Sequence, residues 1–185
     1  MFQVIILAAI HNRTKMASLF DRGDQEFQKR FNSFLSSWTY SDFEERMRDV
    51  NRDGKKHGHY AWYVYPTELE GRNQPTHKFG KVTMDGEMLY SLFGNNSANI
   101  ALPLERWMLF LEHIIALCEW WNARGQRIAL KHIFPQQDHG RIEHFFTNIH
   151  KMENNLIPCI YSADMVSKLD RLVSIVQSLE FHFVN

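Results

Sequence analysis

From Tyr60 to Tyr65 the chain reads Tyr-Ala-Trp-Tyr-Val-Tyr, and five of these six residues are aromatic or β-branched. Lys55-Lys56-His57-Gly58-His59 forms a cationic, histidine-bearing entry, and Pro66 closes the run. Such a composition predicts a buried strand that delivers polar groups to one edge of a core. Side-chain alternation places His59, Ala61, Tyr63 and Tyr65 on one face, and Tyr60, Trp62 and Val64 on the other. Both faces are bulky, so the strand is expected to be central and covered on both sides. A central strand requires a sheet, which constrains the fold more than any other stretch of the chain.

The rest of the pattern is mostly helical. Phe27, Phe31, Phe34 and Leu35 lie at helical spacing within 26–35. Ser41-Asp42-Phe43-Glu44 predicts a second helix with Ser41 as N-cap, fading at Asp53-Gly54. A polar stretch over 67–81 is long for a connection, and 86–93 reads as a short helix before the break Gly94-Asn95-Asn96-Ser97. The strongest helical pattern is 103–124, with Leu104, Trp107, Met108, Leu111, Ile114, Ile115, Cys118 and Trp121 on one broad face. Pro103 suits its first turn and Gly125 its end. A second strand is expected over 128–134 and a third over 157–161, with helices at 141–152 and 164–179. Strands among more numerous helices predict an α+β fold: a helix-rich single domain with a small central sheet.

The 185 residues fit one domain with a sizeable core. Residues 1–15 read as an N-terminal extension, non-native or flexible, and 16–185 as the globular domain. The apolar start at 2–10 is shorter than the roughly 20 residues a membrane span takes. Twenty-one basic residues balance 21 acidic ones, which argues against a general nucleic-acid footprint. Cys118 and Cys159 both sit in apolar runs and read as buried thiols of a reducing, cytoplasmic compartment.

Two stretches carry similar chemistry. The first gives Lys56, His57, His59 and then Tyr65-Pro66. The second gives Lys131, His132 and then Phe134-Pro135, followed by Gln136-Gln137-Asp138-His139-Gly140-Arg141. If the two strands are neighbours, their loops line one cleft. His59 reads either as a core histidine bonded to Tyr63 or as a general acid/base. Asp138 reads as a helix N-cap or, with His139, as a proton-transfer group. Arg141 is either solvated or an anion contact beside free helix amides. Lys78, in His77-Lys78-Phe79-Gly80-Lys81, offers a weak phosphate-loop signal, and no dinucleotide or Walker fingerprint accompanies it. His139, His144 and His150 lack the spacing that puts two imidazoles on one helical face, so no metal site is expected. No cofactor is specified.

His59-Tyr60-Ala61-Trp62-Tyr63-Val64-Tyr65-Pro66 resembles the hallmark of a small, uncharacterised, mostly bacterial family sometimes labelled calpastatin-like. Its members carry His, aromatic, any, Trp, aromatic, any, aromatic, Pro after a basic helix end. Ser162-Ala163-Asp164 with Lys168-Leu169 is similar to the opening of that family's late helix. The family's Gln after the proline is Thr67 here, and the resemblance covers about a fifth of the chain. It implies a compact, helix-rich cytoplasmic domain and supplies no activity or catalytic residues.

The resulting expectation is a domain that binds, and processes in an enzymatic version of the reading, a small anionic ligand of nucleotide type. Lys56, Lys78, Lys131 and Arg141 would hold phosphate, Trp62 or Tyr65 would stack, and His59, Asp138 or His139 would move protons. The alternative is a non-catalytic protein-interaction module that uses the Trp-rich helix 103–124 through Trp120 and Trp121.

Overall fold

The computed structural model describes residues 25–67, 92–94, 97–155 and 162–184. The expectations for 1–15, for the polar stretch beyond Thr67 with Lys78, for the body of the helix at 86–93 and for a strand at 157–161 lie outside them.

The described residues form seven helices and no strand, so the α+β expectation is corrected to an all-α architecture. Helix α1 spans Gln25–Ser36, α2 Tyr40–Asp53, α3 Ala61–Val64, α4 Ala98–Asn122, α5 Leu130–Ile133, α6 Gln136–Asn155 and α7 Ala163–Val184. Helix α4 is the hub: α1, α2, α3, α5 and α7 all pack on it, and α7 also packs on α6.

Local chemistry sets the boundaries. The N-cap of α2 is Thr39 rather than Ser41: Thr39 has extended backbone, and its Oγ1 accepts from the Asp42 amide at 3.3 Å. The helix stops at Gly54, whose φ of 73° is the left-handed region, and whose amide donates to the Val50 carbonyl at 3.0 Å. A Cβ there would also approach Trp121 Nε1 to 3.0 Å, so the site selects glycine twice over. Helix α4 starts five residues before Pro103, which therefore lies inside it. Gly125, with φ 76°, follows its last turn.

The two expected strands that fall among the described residues are short helices, and burial shows why. At the first, Tyr60, Ala61, Val64 and Tyr65 are buried while Trp62 and Tyr63 are half-buried. That spacing is helical, not alternating. At the second, Leu130, Ile133 and Phe134 are buried while Lys131 and His132 are exposed. The aromatic and branched side chains that signal a strand here fill the gaps of a helix bundle. Trp107 of α4 fixes α3 from behind, its Nε1 donating to the Val64 carbonyl at 2.9 Å.

The core is an aromatic chain running through α4. Phe34 meets Trp107 at 5.4 Å, Trp107 meets Phe145 at 6.0 Å, and Phe145 meets Tyr65 at 5.6 Å. Tyr65 then meets Phe134 at 5.1 Å. Edge-on pairs of this kind add about 0.5–1.5 kcal/mol each beyond their burial. Arg171 of α7 ties the hub to its main neighbour from outside, bonding Glu105 at 2.7 Å and Glu112 at 2.8 Å and 2.9 Å.

Candidate functional site

The cleft of chief interest lies over α1, α2 and the segment leading into α3, and measures about 880 Å3. Ser33, Ser36 and Ser37 come from the end of α1, Arg46 and Asp49 from α2, and His59, Tyr60 and Tyr63 from the α3 region. Asp42, Glu45, Arg48, Arg52 and Gly58 complete the lining, and its charges are mixed.

Arg46 is the unusual member. It lies among Phe43, Met47 and Val50 on the inward face of α2 and is only 6% exposed. Its guanidinium carbon sits 4.4 Å from the Trp38 ring centroid, 5.3 Å from Tyr63 and 5.7 Å from Tyr60. Nη1 has no hydrogen-bond acceptor among the described residues. Burial lowers the pKa of the group, while Asp42 and the two tyrosines work in the opposite direction. Three aromatic faces offset part of the cost of burying the cation, but they satisfy none of its in-plane donors.

Asp49 holds the adjoining wall. One carboxylate oxygen, Oδ2, accepts from the Tyr60 hydroxyl at 2.7 Å, the His57 amide at 2.9 Å and the Gly58 amide at 3.0 Å. Burial pushes the Asp49 carboxyl up, but the Gly58 amide, the Tyr60 hydroxyl and the His57 amide together bring it below its ordinary value. Burial and the bond to Asp49 raise the Tyr60 hydroxyl far above its ordinary range, so it is a fixed donor and not a titrating acid. Arg46 and Asp49 were not singled out from the sequence. The available signal was a charged residue at an inward helical position, three residues after Phe43 and four before Val50.

The two similar loops do meet, but in the interior. The Lys56 amide donates to the Ile133 carbonyl at 2.8 Å, and Lys56 Nζ pairs with Asp138 Oδ2 at 2.8 Å with both side chains almost fully buried. Arg141, also buried, lies 5.0 Å from the Trp62 ring. Burial lowers the Arg141 pKa against the opposing pull of Asp138. Tyr65 is wholly buried, and burial raises its hydroxyl well above the ordinary value. Lys56, Trp62, Tyr65, Asp138 and Arg141 thus form one polar–aromatic contact between the α3 region and the start of α6. Asp138 lies in the first turn of α6 rather than at its N-cap.

The remaining candidates are dispersed. His59 is exposed in the cleft. His139 donates from Nε2 to the Phe134 carbonyl at 2.9 Å and stacks edge-on against Phe183 at 5.6 Å. Lys131 is exposed on α5. Trp120 is 47% exposed, with the Arg124 guanidinium 3.6 Å from its ring centroid, whereas Trp121 turns inward against Gly54. Among the described residues no cluster of three or more His, Cys, Asp or Glu can hold a metal, and no helix is long and apolar enough to cross a membrane.

No family model, curated protein or solved structure matches this chain.

Proposed function

We propose that this protein binds a small anionic ligand of nucleotide type in the cleft over α1 and α2, with Arg46 as the anion anchor. One observation carries the reading: a guanidinium only 6% exposed lines an open cleft, held on three rings, with Nη1 lacking an acceptor among the described residues. Arginine in such a position is pre-organised for a phosphate or carboxylate, since its fork loses little freedom on bonding. Asp49 is engaged elsewhere: its Oδ2 accepts from the His57 and Gly58 amides and the Tyr60 hydroxyl. His59 is the cleft residue suited to meet a second charge or a proton. Lys56, Asp138, Arg141 and Trp62 support the cleft from the interior. A cytoplasmic setting is part of the reading, in keeping with the buried Cys118 thiol, which burial pushes up to about 12.

The test is a thermal-shift and calorimetric screen of mono- and dinucleotides against inorganic phosphate. A ligand at about 100 times its dissociation constant stabilises by roughly 2.7 kcal/mol. Arg46→Lys keeps the charge and loses the fork, and is expected to weaken binding about tenfold or more while remaining folded. Folded wild type that fails to respond to any of these ligands at millimolar concentration would remove the proposal.

A second reading has its own support. Leu102, Leu109 and Trp120 are exposed and fall on the outward side of α4, at spacings of seven and eleven residues. This favours a protein-interaction surface centred on Trp120. Loss of partner capture in Trp120→Ala, with nucleotide response intact, would separate the two.

A further inference from the structure

Leu102, Leu109 and Trp120 of α4 are 56%, 41% and 47% exposed, and Ala116 between them is exposed as well. At 3.6 residues per turn these four side chains leave the helix within about 40° of one another, in a stripe about 27 Å long. The buried face, with Leu104, Trp107, Leu111 and Ile114, lies on the opposite side. The two edges of the stripe differ in charge, and contacts fix which way each one faces. Toward α2 stand Arg106 and His113. Arg106 Nη1 donates to the Trp38 carbonyl at 3.0 Å, with the guanidinium 5.8 Å from the Tyr40 ring, and His113 Nε2 bonds Asn51 Oδ1 at 2.8 Å. Toward α7 stand Glu105 and Glu112, both bonded to Arg171, and Glu119, 4.0 Å from His182. Three carboxylates around one guanidinium leave that edge acidic. At the end of the stripe the Arg124 guanidinium lies over the Trp120 ring.

We infer that this face joins two copies of the chain, with their α4 helices side by side and parallel. The inference rests on the protein-interaction reading of Trp120 and names the partner. A two-fold axis parallel to α4 sets the stripe of one copy on the stripe of the other, because each patch must complement itself. The same rotation turns the acidic edge of each copy to the basic edge of the other. Glu105 of one copy then lies within one residue of the level of Arg106 of the second, and Glu112 of His113, each twice. The Trp38 bond occupies Nη1 of Arg106 alone, so the guanidinium keeps donors for a carboxylate. Leu102 and Leu109 meet their own counterparts as the apolar centre. Ala116 adds no bulk beyond its Cβ and lets the helix axes approach to about 8–10 Å. An antiparallel pair would set acid against acid, and a partner of one charge sign would meet one edge of its own sign. The two-signed border therefore decides for a second copy in parallel.

Sedimentation over a concentration series tests this with the full chain. Wild type is expected to rise toward twice the mass of one chain. Leu109→Asp puts a carboxylate in the apolar centre and should weaken association roughly thirtyfold, as loss of a hot spot does. Ala116→Arg, at an exposed position, should weaken it as much through bulk and charge. Unchanged circular dichroism confirms that each variant is folded. Ala116→Cys reads the orientation, since a parallel two-fold sets residue 116 against its own counterpart. Under a mild chemical oxidant it should give a disulfide-linked pair well above any that wild type forms. A wild type that stays at one-chain mass throughout overturns the inference, as does association that survives either folded variant, Leu109→Asp or Ala116→Arg. An associating Ala116→Cys protein that forms no such link overturns the parallel arrangement. The reading beneath the inference fails separately. A one-chain wild type that still captures another protein through Trp120 keeps the surface and loses only the second copy, whereas one that captures nothing loses both.

Discussion

At the scale of single residues, Asp49 shows how one carboxylate can shape a site without entering its chemistry. Three donors from the segment 57–60 converge on one oxygen, so the backbone leading to α3 is clamped to α2. Hydrogen bonds to a charged acceptor are worth more than neutral ones, and Asp49→Ala leaves a tyrosine hydroxyl and two amides seeking partners. The substitution is expected to cost about 2 kcal/mol at neutral pH. The folded-state pKa is depressed, so this contribution is present above the unfolded value, about 3.9, and fades as pH falls through the lower folded value. Urea denaturation of wild type and Asp49→Ala should therefore show a gap that is wide at neutral pH and closes in acid. A gap independent of pH would mean that the carboxylate charge does not hold the segment.

Helices joined side by side present a different pH dependence. His150 of α6 bonds Glu180 of α7 through Nε2 at 2.8 Å and Glu153 through Nδ1 at 3.3 Å. The Glu180 bond raises the imidazole pKa, burial opposes it, and Glu153 adds to the rise. A raised folded value means that the stabilisation is fully present below the unfolded pKa, about 6.5, and is lost as pH climbs through the folded one. His150→Gln should lower the melting temperature at mildly acid pH and leave it nearly unchanged in alkali, as a pH series of thermal melts would read. At this same scale the sequence was most legible where the pattern was long. The buried face of α4 includes Leu104, Trp107, Met108, Leu111, Ile114 and Cys118, all readable from their spacing. The four-residue helices α3 and α5 were not. A single turn is too short to display a helical period, and residues such as Tyr60 and Val64 score as strand because they suit any half-buried surface. The inward position of Arg46 was hidden for a related reason: its aromatic partners come from two other segments, Trp38 before α2 and Tyr60 and Tyr63 at α3.

Over the whole molecule, the Lys56–Asp138 pair joins the α2–α3 connection to the first turn of α6, some eighty residues apart in sequence. The resemblance of those two loops in the sequence did point to a meeting, but their charges neutralise each other in the interior instead of facing a ligand. Burying both ions costs several kcal/mol each, which their attraction repays only as a pair. Removing one partner strands the other. Lys56→Met and Asp138→Leu are each expected to cost about 3–5 kcal/mol, whereas the double variant should lose clearly less, since apolar side chains of similar volume can occupy the same space. Denaturant titration of the four proteins gives the coupling directly. If the pair instead belonged to a ligand site, the two single losses would be small and additive in stability, while nucleotide response would fall in each. The double variant then separates the two roles: recovery of stability with an intact response at Arg46 assigns the pair to the frame that holds the cleft open, not to the cleft itself.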